Sequence, residues 1–207
     1  MPTKESKKDL IMINACKKCR REGEKLILKG DRCLSAKCAM TKRPYAPGQH
    51  GQGNFKKTSE YCRQLREKQK ARRIYNIGER QFKNIVKKAD KMVGNTAENM
   101  LILLETRIDS LAYRLGFGLS RSNVRQMISH GRLKINGQKI KTPSITVKVG
   151  DIIEACKKET LADVTLTKLS WADVDAKSEK ATIKSMPTKD EIDSSINESL
   201  IIEFYSR

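Results

Sequence analysis

The sequence predicts an α+β chain in which helices come first and a small antiparallel sheet follows. Three observations carry this. Between Phe82 and Leu115 apolar residues recur at helical steps. Residues 132–141, RLKINGQKIK, alternate in polarity about an Asn-Gly pair. Residues 1–58 hold few apolar periodicities and many turn formers, as in RPYAPGQHGQG, so they read as an extended segment and not a core. A chain of 207 residues has length for one large domain or two small ones.

From Ser59 the stretch SEYCRQLREKQKARRIYNI is rich in helix formers, with Tyr61, Leu65 and Ile74 spread among charges. It predicts a helix facing solvent or a polyanion. ERQFKNIVKKADKMV follows, with Phe82, Ile85, Val86, Ala89 and Val93 forming one apolar stripe. NTAENMLILLETRIDSLAYRLG has an Asn cap, Glu98 three residues later and Gly116 at its end, and predicts one continuous helix. SRSNVRQMISHG predicts a short helix capped by Ser120, with Val124, Met127 and Ile128 turned inward and Gly131 closing it. Beyond the Asn136-Gly137 hairpin, Ile145, Val147 and Val149 alternate with polar residues, and VGDIIEA predicts another strand. Residues 157–186 are weakly patterned apart from TLTKLSW. The end, KDEIDSSINESLIIEFYSR, predicts a short acidic helix and then an apolar strand.

Charge narrows the function. The net charge is +19, divided as +16 over residues 1–90, +7 over 91–150 and −4 over 151–207. Such a surplus calls for a polyanion, and nucleic acid leads. No apolar run approaches the roughly 20 residues that span a bilayer, and the start MPTKESKKDL lacks the apolar core of a signal peptide, so the expected location is the cytosol. Ten aromatics without a cluster in the sequence make base stacking the lesser mode. Phosphate contact and shape readout fit better.

Three constellations carry chemistry. Cys16-x2-Cys19-x13-Cys33-x4-Cys38 gathers four of six cysteines in the basic stretch CKKCRREGEKLILKGDRCLSAKC. In a reducing compartment such a cluster favours metal over disulfides. Four thiolates satisfy tetrahedral Zn2+ and leave no open position, which marks a structural site; four separate thiols and an iron-sulfur cluster are the alternatives. Cys62 and Cys156 read as ordinary thiols, and His50 as a turn residue. The second constellation is Arg63, Arg66, Lys68, Lys70, Arg72 and Arg73, with Lys56 and Lys57 upstream and Arg20 and Arg21 beside the cysteines. Between residues 60 and 73 only Glu60 and Glu67 balance six cations, so phosphate contact is preferred over a solvated face. The third is Arg121, Arg125, His130, Arg132, Lys134 and Lys139, cations on a helix and a hairpin that form a surface and not a cleft. Asp109 is the one acid here that invites an enzymatic reading. Without a second acid, a nucleophile or a phosphate loop it reads as a helix-surface or capping residue.

Together, CKKCRREGEKLILKGDRC, RPYAPGQHGQ, QLREKQKARRIYNIGERQF, GNTAENMLILLETRIDSLAYRLGFGLSRSNVRQMISHGRLKINGQ and LIIEFYSR resemble the family of the fourth protein of the bacterial small ribosomal subunit, in that family's order along nearly the whole chain. The resemblance implies a non-enzymatic, primary binder of the five-prime domain of 16S rRNA that acts early in assembly. It also implies a contact with the neighbouring fifth small-subunit protein, uS5, and a part in decoding accuracy and in the path by which mRNA reaches the subunit. In fold it implies a basic extension with a zinc knuckle (residues 1–58) and a helical rRNA-binding domain (59–105 with about 186–207). Inserted in that domain is a small antiparallel-sheet RNA-binding unit, the S4 domain of αL-like type (106–170), and 171–185 connects the two. The cysteines would hold one structural Zn2+, as in only some family members. The start TKESKKDLIMINA departs from the family's usual Arg-Tyr-Gly-Pro type, and QGNFKK offers two lysines where the family often has more cations. Taken alone, SRSNVRQMISHGRLKINGQ also resembles RNA-modifying and ribosome-associated factors, so an enzyme carrying this module is the alternative. A DNA-binding zinc-finger regulator is the third class.

Overall fold

The structure, a computed structural model, describes residues 15–53, 58–156, 169–175, 180–192 and 195–206. The first element, α1, covers residues 15–22. A 3-10 turn (Gly30–Cys33) and the single helical turn α2 (Ala39–Lys42) follow. Four longer elements come next: α3 (Glu60–Ile74), α4 (Glu79–Asp90), α5 (Thr96–Glu105) and α6 (Ile108–Arg114). After α7 (Arg121–Ser129) come β1 (Leu133–Ile135), β2 (Gln138–Ile140), β3 (Ile152–Ala155), β4 (Ala172–Asp175) and β5 (Lys180–Ile183). A 3-10 turn (Lys189–Glu191) leads to the last helix, α8 (Glu198–Tyr205).

Two hydrophobic clusters result. In the first, α3, α4, α5 and α8 enclose Phe82, Met100, Leu104 and Ile201, each fully buried, and Cys19 and Leu26 join them from the cysteine-rich segment. The second lies between α6, α7 and one face of the sheet, around Leu115, Phe117, Ile128, Leu133 and Ile153. The sheet is antiparallel throughout, in the order β2-β1-β3-β5-β4. Its hairpin turn is the expected one, with Asn136 at φ 50° and Gly137 at φ 78°. Both central residues of a type I′ turn need a positive φ. Asn136 also ties this turn to the start of β3, accepting from the Ile152 amide and donating to Asp151, each at 2.9 Å.

The caps on Asn95 and Ser120 form as the sequence predicts, accepting from Ala97 N and Asn123 N. The single helix expected over 95–116 is in fact two. After the C-cap Thr106, Arg107 leaves the helical path at ψ 138° and forms an antiparallel bridge with Thr146, and hydrogen bonds run from Ile108 N to Ile145 O and from Val147 N to Thr106 O. Satisfying residues 145–147 explains two departures together: α5 and α6 break apart, and the alternating segment 145–149 becomes a bridge and not a strand of the sheet.

Two further expectations are corrected. Residues placed in a connecting segment (171–185) supply β4 and β5, two of the five strands, and the buried Trp171 of the sheet core. The C-terminal run LIIEFY is helical: Asn197 caps it, and Ile201 packs inward with Phe204 and Tyr205 against α3 and α4. β-branched residues favour strand locally, but the apolar positions also fall at helical steps, and packing on α3 decides. Its N-cap amide donates to Glu67 on α3 at 3.2 Å.

Candidate nucleic-acid interface

The four clustered cysteines line one small cavity together with Leu28, Lys29, Ala39 and Met40. α1 supplies Cys16 and Cys19, the 3-10 turn supplies Cys33, and Cys38 precedes α2. Cys19, Cys33 and Cys38 are buried, and all four are free thiols. The Lys29 amide donates to the Cys33 sulfur at 3.4 Å. Burial pushes the Cys19 thiol up and the Leu26 amide opposes this, while Cys33, Cys16 and Cys38 add to the rise. Among the described residues no group of three or more His, Cys, Asp or Glu side chains is arranged to hold a metal ion. The thiols thus face one cavity without forming a ready coordination shell. Chemically the set suits zinc: four sulfurs, a mainly apolar lining and amides aimed at sulfur.

Beside this cavity Arg20 holds the protein and not a ligand. Its guanidinium donates to Tyr45 O at 2.9 Å and lies 4.8 Å from the centre of the Tyr45 ring, tying the PGQHG loop to α1. Arg21 is exposed, and His50 sits exposed in a turn. Lys56 and Lys57 lie outside the described residues.

The α3 cations do not form a free basic face. Lys68 and Lys70 are each only 5% exposed. Lys68 pairs with Glu79 at 2.9 Å and covers the Phe204 ring, and Lys70 pairs with Glu24 at 2.7 Å. Arg72 pairs with Glu79, and Arg66 and Arg73 both pair with Glu22, whose side chain is almost wholly buried. Arg63 alone of the six keeps an open side chain, 60% exposed, in a loose 3.6 Å pair with Glu60. Counting acids within the run missed Glu22, Glu24 and Glu79, which the fold brings from other segments. Lys68 and Lys70 are therefore withdrawn as phosphate contacts, since reaching an anion would strip a buried cation of its partner. The chain of tilted and edge-on ring contacts Tyr61–Phe204–Tyr205–Phe82 further shows that aromatics scattered in the sequence do gather in space.

On α7 the two predicted arginines also turn inward. Arg121 lies between the Tyr75 and Tyr113 rings, 5.0 and 4.7 Å from their centres, and 3.7 Å from Glu105. Arg125 donates to Asn76 O at 3.1 Å and to Asp109 at 3.4 Å. Asp109 is no surface residue: it is 3% exposed and takes a two-pronged pair from Arg107 at 3.1 and 2.8 Å. Arg107 and Glu105, which no local pattern singles out, are the centres of this buried network. His130, Arg132 and Lys139 are exposed and Lys134 is partly so, and they line the end of α7 and the β1–β2 hairpin. Lys134 and Lys139 stand directly opposite across the hairpin, a like-charge pair that an anion would relieve.

Comparison with known proteins agrees with both halves of this architecture. Residues 13–105 match the family described as the ribosomal protein S4/S9 N-terminal domain, and residues 106–153 match the S4 domain. The small ribosomal subunit protein uS4 of Syntrophomonas wolfei is 49% identical over 203 residues, covering 94% of this chain and 97% of that one. The uS4 proteins of Thiobacillus denitrificans and Clostridioides difficile are 48% and 47% identical, each covering 93% of this chain and 96% and 97% of their own. With helical half, sheet half and nearly the whole length matched, the chain belongs to the family of small ribosomal subunit proteins uS4.

Proposed function

We propose that this protein is a structural constituent of the small ribosomal subunit, residing in the cytoplasm within that subunit, and that it binds rRNA without transforming any substrate. The observation that carries this is identity near one half over almost the full length of proteins bearing that name. The mechanism is electrostatic. Exposed cations on two latched modules neutralise phosphates and release counterions, while the rigid scaffold selects RNA shape. Arg21, Arg63, His130, Arg132, Lys134 and Lys139 are the predicted residues that remain open for that contact. Arg20, Arg66, Arg72, Arg73, Arg121 and Arg125 act on the RNA indirectly, by holding the surfaces that carry the others.

The finer role follows the same reading: early binding to the five-prime domain of 16S rRNA, contact with uS5, and a contribution to accuracy and to the mRNA path. Cys16, Cys19, Cys33 and Cys38 hold one structural Zn2+, which fastens the N-terminal segment to the helical core through Cys19 and Leu26. Side-by-side filter binding to a small-subunit rRNA transcript and to duplex DNA tests the proposal. Tight, salt-sensitive binding to the transcript and weak binding to DNA is expected; equal affinity overturns it, as does absence of the chain from purified small subunits.

A further inference from the structure

Besides Arg21 and Arg63, the helical half carries a run of open cations on α4, where the sequence shows an apolar stripe. Phe82, Val86 and Ala89 are buried. On the opposite side Arg80, Lys83, Lys87 and Lys91 succeed one another at steps of three and four residues, and Lys88 flanks them; all five are exposed. At about 1.5 Å rise per residue the stripe runs roughly 16 Å. None of these five forms an ion pair with another described residue. The acids of α4 leave them unbalanced: Glu79 is held by Lys68, Arg72 and the Tyr205 hydroxyl, and Asp90 pairs with none of them.

A solvated helix face is the plain alternative, and two arguments weigh against it. Like charges at three- and four-residue spacing on a helix repel, and this stripe stacks several in series. Cations near a helix C-terminus are favoured by the helix dipole, which accounts for Lys87, Lys88 and Lys91, but Arg80 lies in the first turn, where the dipole disfavours it. The contrast with α3 is the strongest point. There an equally basic helix is met by three carboxylates from outside it, Glu22, Glu24 and Glu79, so this fold does neutralise cations that serve it. On α4 no such acids arrive from the described residues.

We propose that the outer face of α4, through Arg80, Lys83, Lys87 and Lys91 with Lys88 beside them, is a binding surface for the phosphate backbone of RNA. The occupant is RNA and not an acidic protein, because the cations run in single file with Val86 and Phe82 turned away beneath them, and the exposed apolar residues nearby, Met92 and Val93, lie past the helix end and not at the centre of the row. This inference rests on the rRNA-binding role proposed above.

The test compares the full-length protein with Lys83→Gln/Lys87→Gln/Lys91→Gln, and with the same three lysines changed to arginine, in binding a small-subunit rRNA transcript over a range of salt. The substituted side chains are exposed, and an unchanged thermal midpoint confirms folding. The glutamine variant is expected to bind more weakly and to flatten the slope of log K against log salt by about two, near 0.7 per lost contact, while the arginine variant keeps the wild-type slope. An unchanged slope in the glutamine variant, with wild type still binding, overturns the α4 proposal alone, and is also the outcome if the face serves an acidic protein. Failure of the wild type to bind the transcript overturns the rRNA role and this surface with it.

Discussion

The phenol of Tyr75, fully buried just past the end of α3, donates its proton to Glu105 at the end of α5 across 2.6 Å. Glu105 lies where the helical half meets the sheet-bearing half, and it also accepts from Ser110 at 3.0 Å and from Arg114 at 2.7 and 2.9 Å. Arg121 closes the group from α7. One carboxylate thus gathers α3, α5, α6 and α7, and the neighbouring Arg125–Asn76 contact fastens the same joint. The latch fixes the angle between the two modules and so the spacing of their cationic surfaces.

Breaking the latch should therefore cost both stability and RNA affinity. Glu105→Gln removes the buried negative charge that Arg114 and Arg121 share, and about 3–5 kcal/mol is expected to be lost in urea unfolding. Tyr75→Phe removes one hydrogen bond to a charged acceptor, a loss of about 1.5–3 kcal/mol. The pH dependence has a definite sign. Burial pushes the Glu105 carboxyl up, but the hydrogen bond and charge of Arg114, with Arg121 and Tyr75, outweigh it and hold the carboxyl below its usual range. Its contribution is then full above the ordinary carboxylate pKa and fades as pH falls through the lowered folded value. Wild type should lose stability on acidification more steeply than Glu105→Gln; parallel pH curves for the two would refute the latch.

The same residues show what a sequence can and cannot display. Local signals sufficed for the Asn136-Gly137 turn and the Asn95 and Ser120 caps, since each is decided within a few residues. The break between α5 and α6 depends on Arg107 meeting Thr146, nearly forty residues away, and no local pattern announces it. The cysteine spacing was legible because the cavity is built from one short segment. The worth of the cations was not. Whether Lys70 faces solvent or Glu24 is settled by long-range packing, and a count of charges along one helix cannot see it.

Salt dependence separates the two kinds of cation. Arg132→Ala and Lys139→Ala remove exposed hairpin charges, and each is expected to flatten the salt slope of rRNA binding by about 0.7–0.9 with little change in stability. Lys68→Ala and Arg73→Ala each remove one cation partner of a carboxylate, Glu79 and Glu22, so they should lower the unfolding midpoint and leave the slope nearly intact. A slope change for Lys68→Ala equal to that for Arg132→Ala would restore the α3 run as a direct phosphate contact.

For the cysteine cavity, elemental analysis of protein purified without chelator is expected to give about one zinc per chain, in keeping with a four-thiolate site. Cys33→Ser should reduce that content and loosen the N-terminal segment, read as faster proteolysis within residues 15–53. Strong chelation should do the same to wild type. Iron in place of zinc, or metal-free protein of equal protease resistance, would remove zinc from the account.

Gly30 marks a second joint between the cysteine segment and the sheet-bearing half. It adopts φ +61°, and a Cβ placed there would stand 2.3 Å from Leu119 O in the loop before α7. That approach is to backbone, which cannot swing aside. Gly30→Ala should then cost about 1–3 kcal/mol from the left-handed conformation alone, with the clash added. A thermal midpoint within a degree of wild type would show that the two segments part without penalty.

Gln64 gives a prediction of the opposite sign. On the inner side of α3 it is wholly buried, and neither its amide nitrogen nor its oxygen has a hydrogen-bond partner among the described residues. A buried amide without partners carries a desolvation penalty of about 1–3 kcal/mol, whereas an apolar side chain of similar length carries none. Gln64→Met keeps the volume and the unbranched shape. It is expected to raise the urea midpoint without altering the slope of the transition, because the surface exposed on unfolding is nearly unchanged. RNA binding should be untouched, since the side chain reaches no surface. A fall in the midpoint would mean that the amide is satisfied after all, as by a buried water, and that α3 depends on that contact to seat itself against α8.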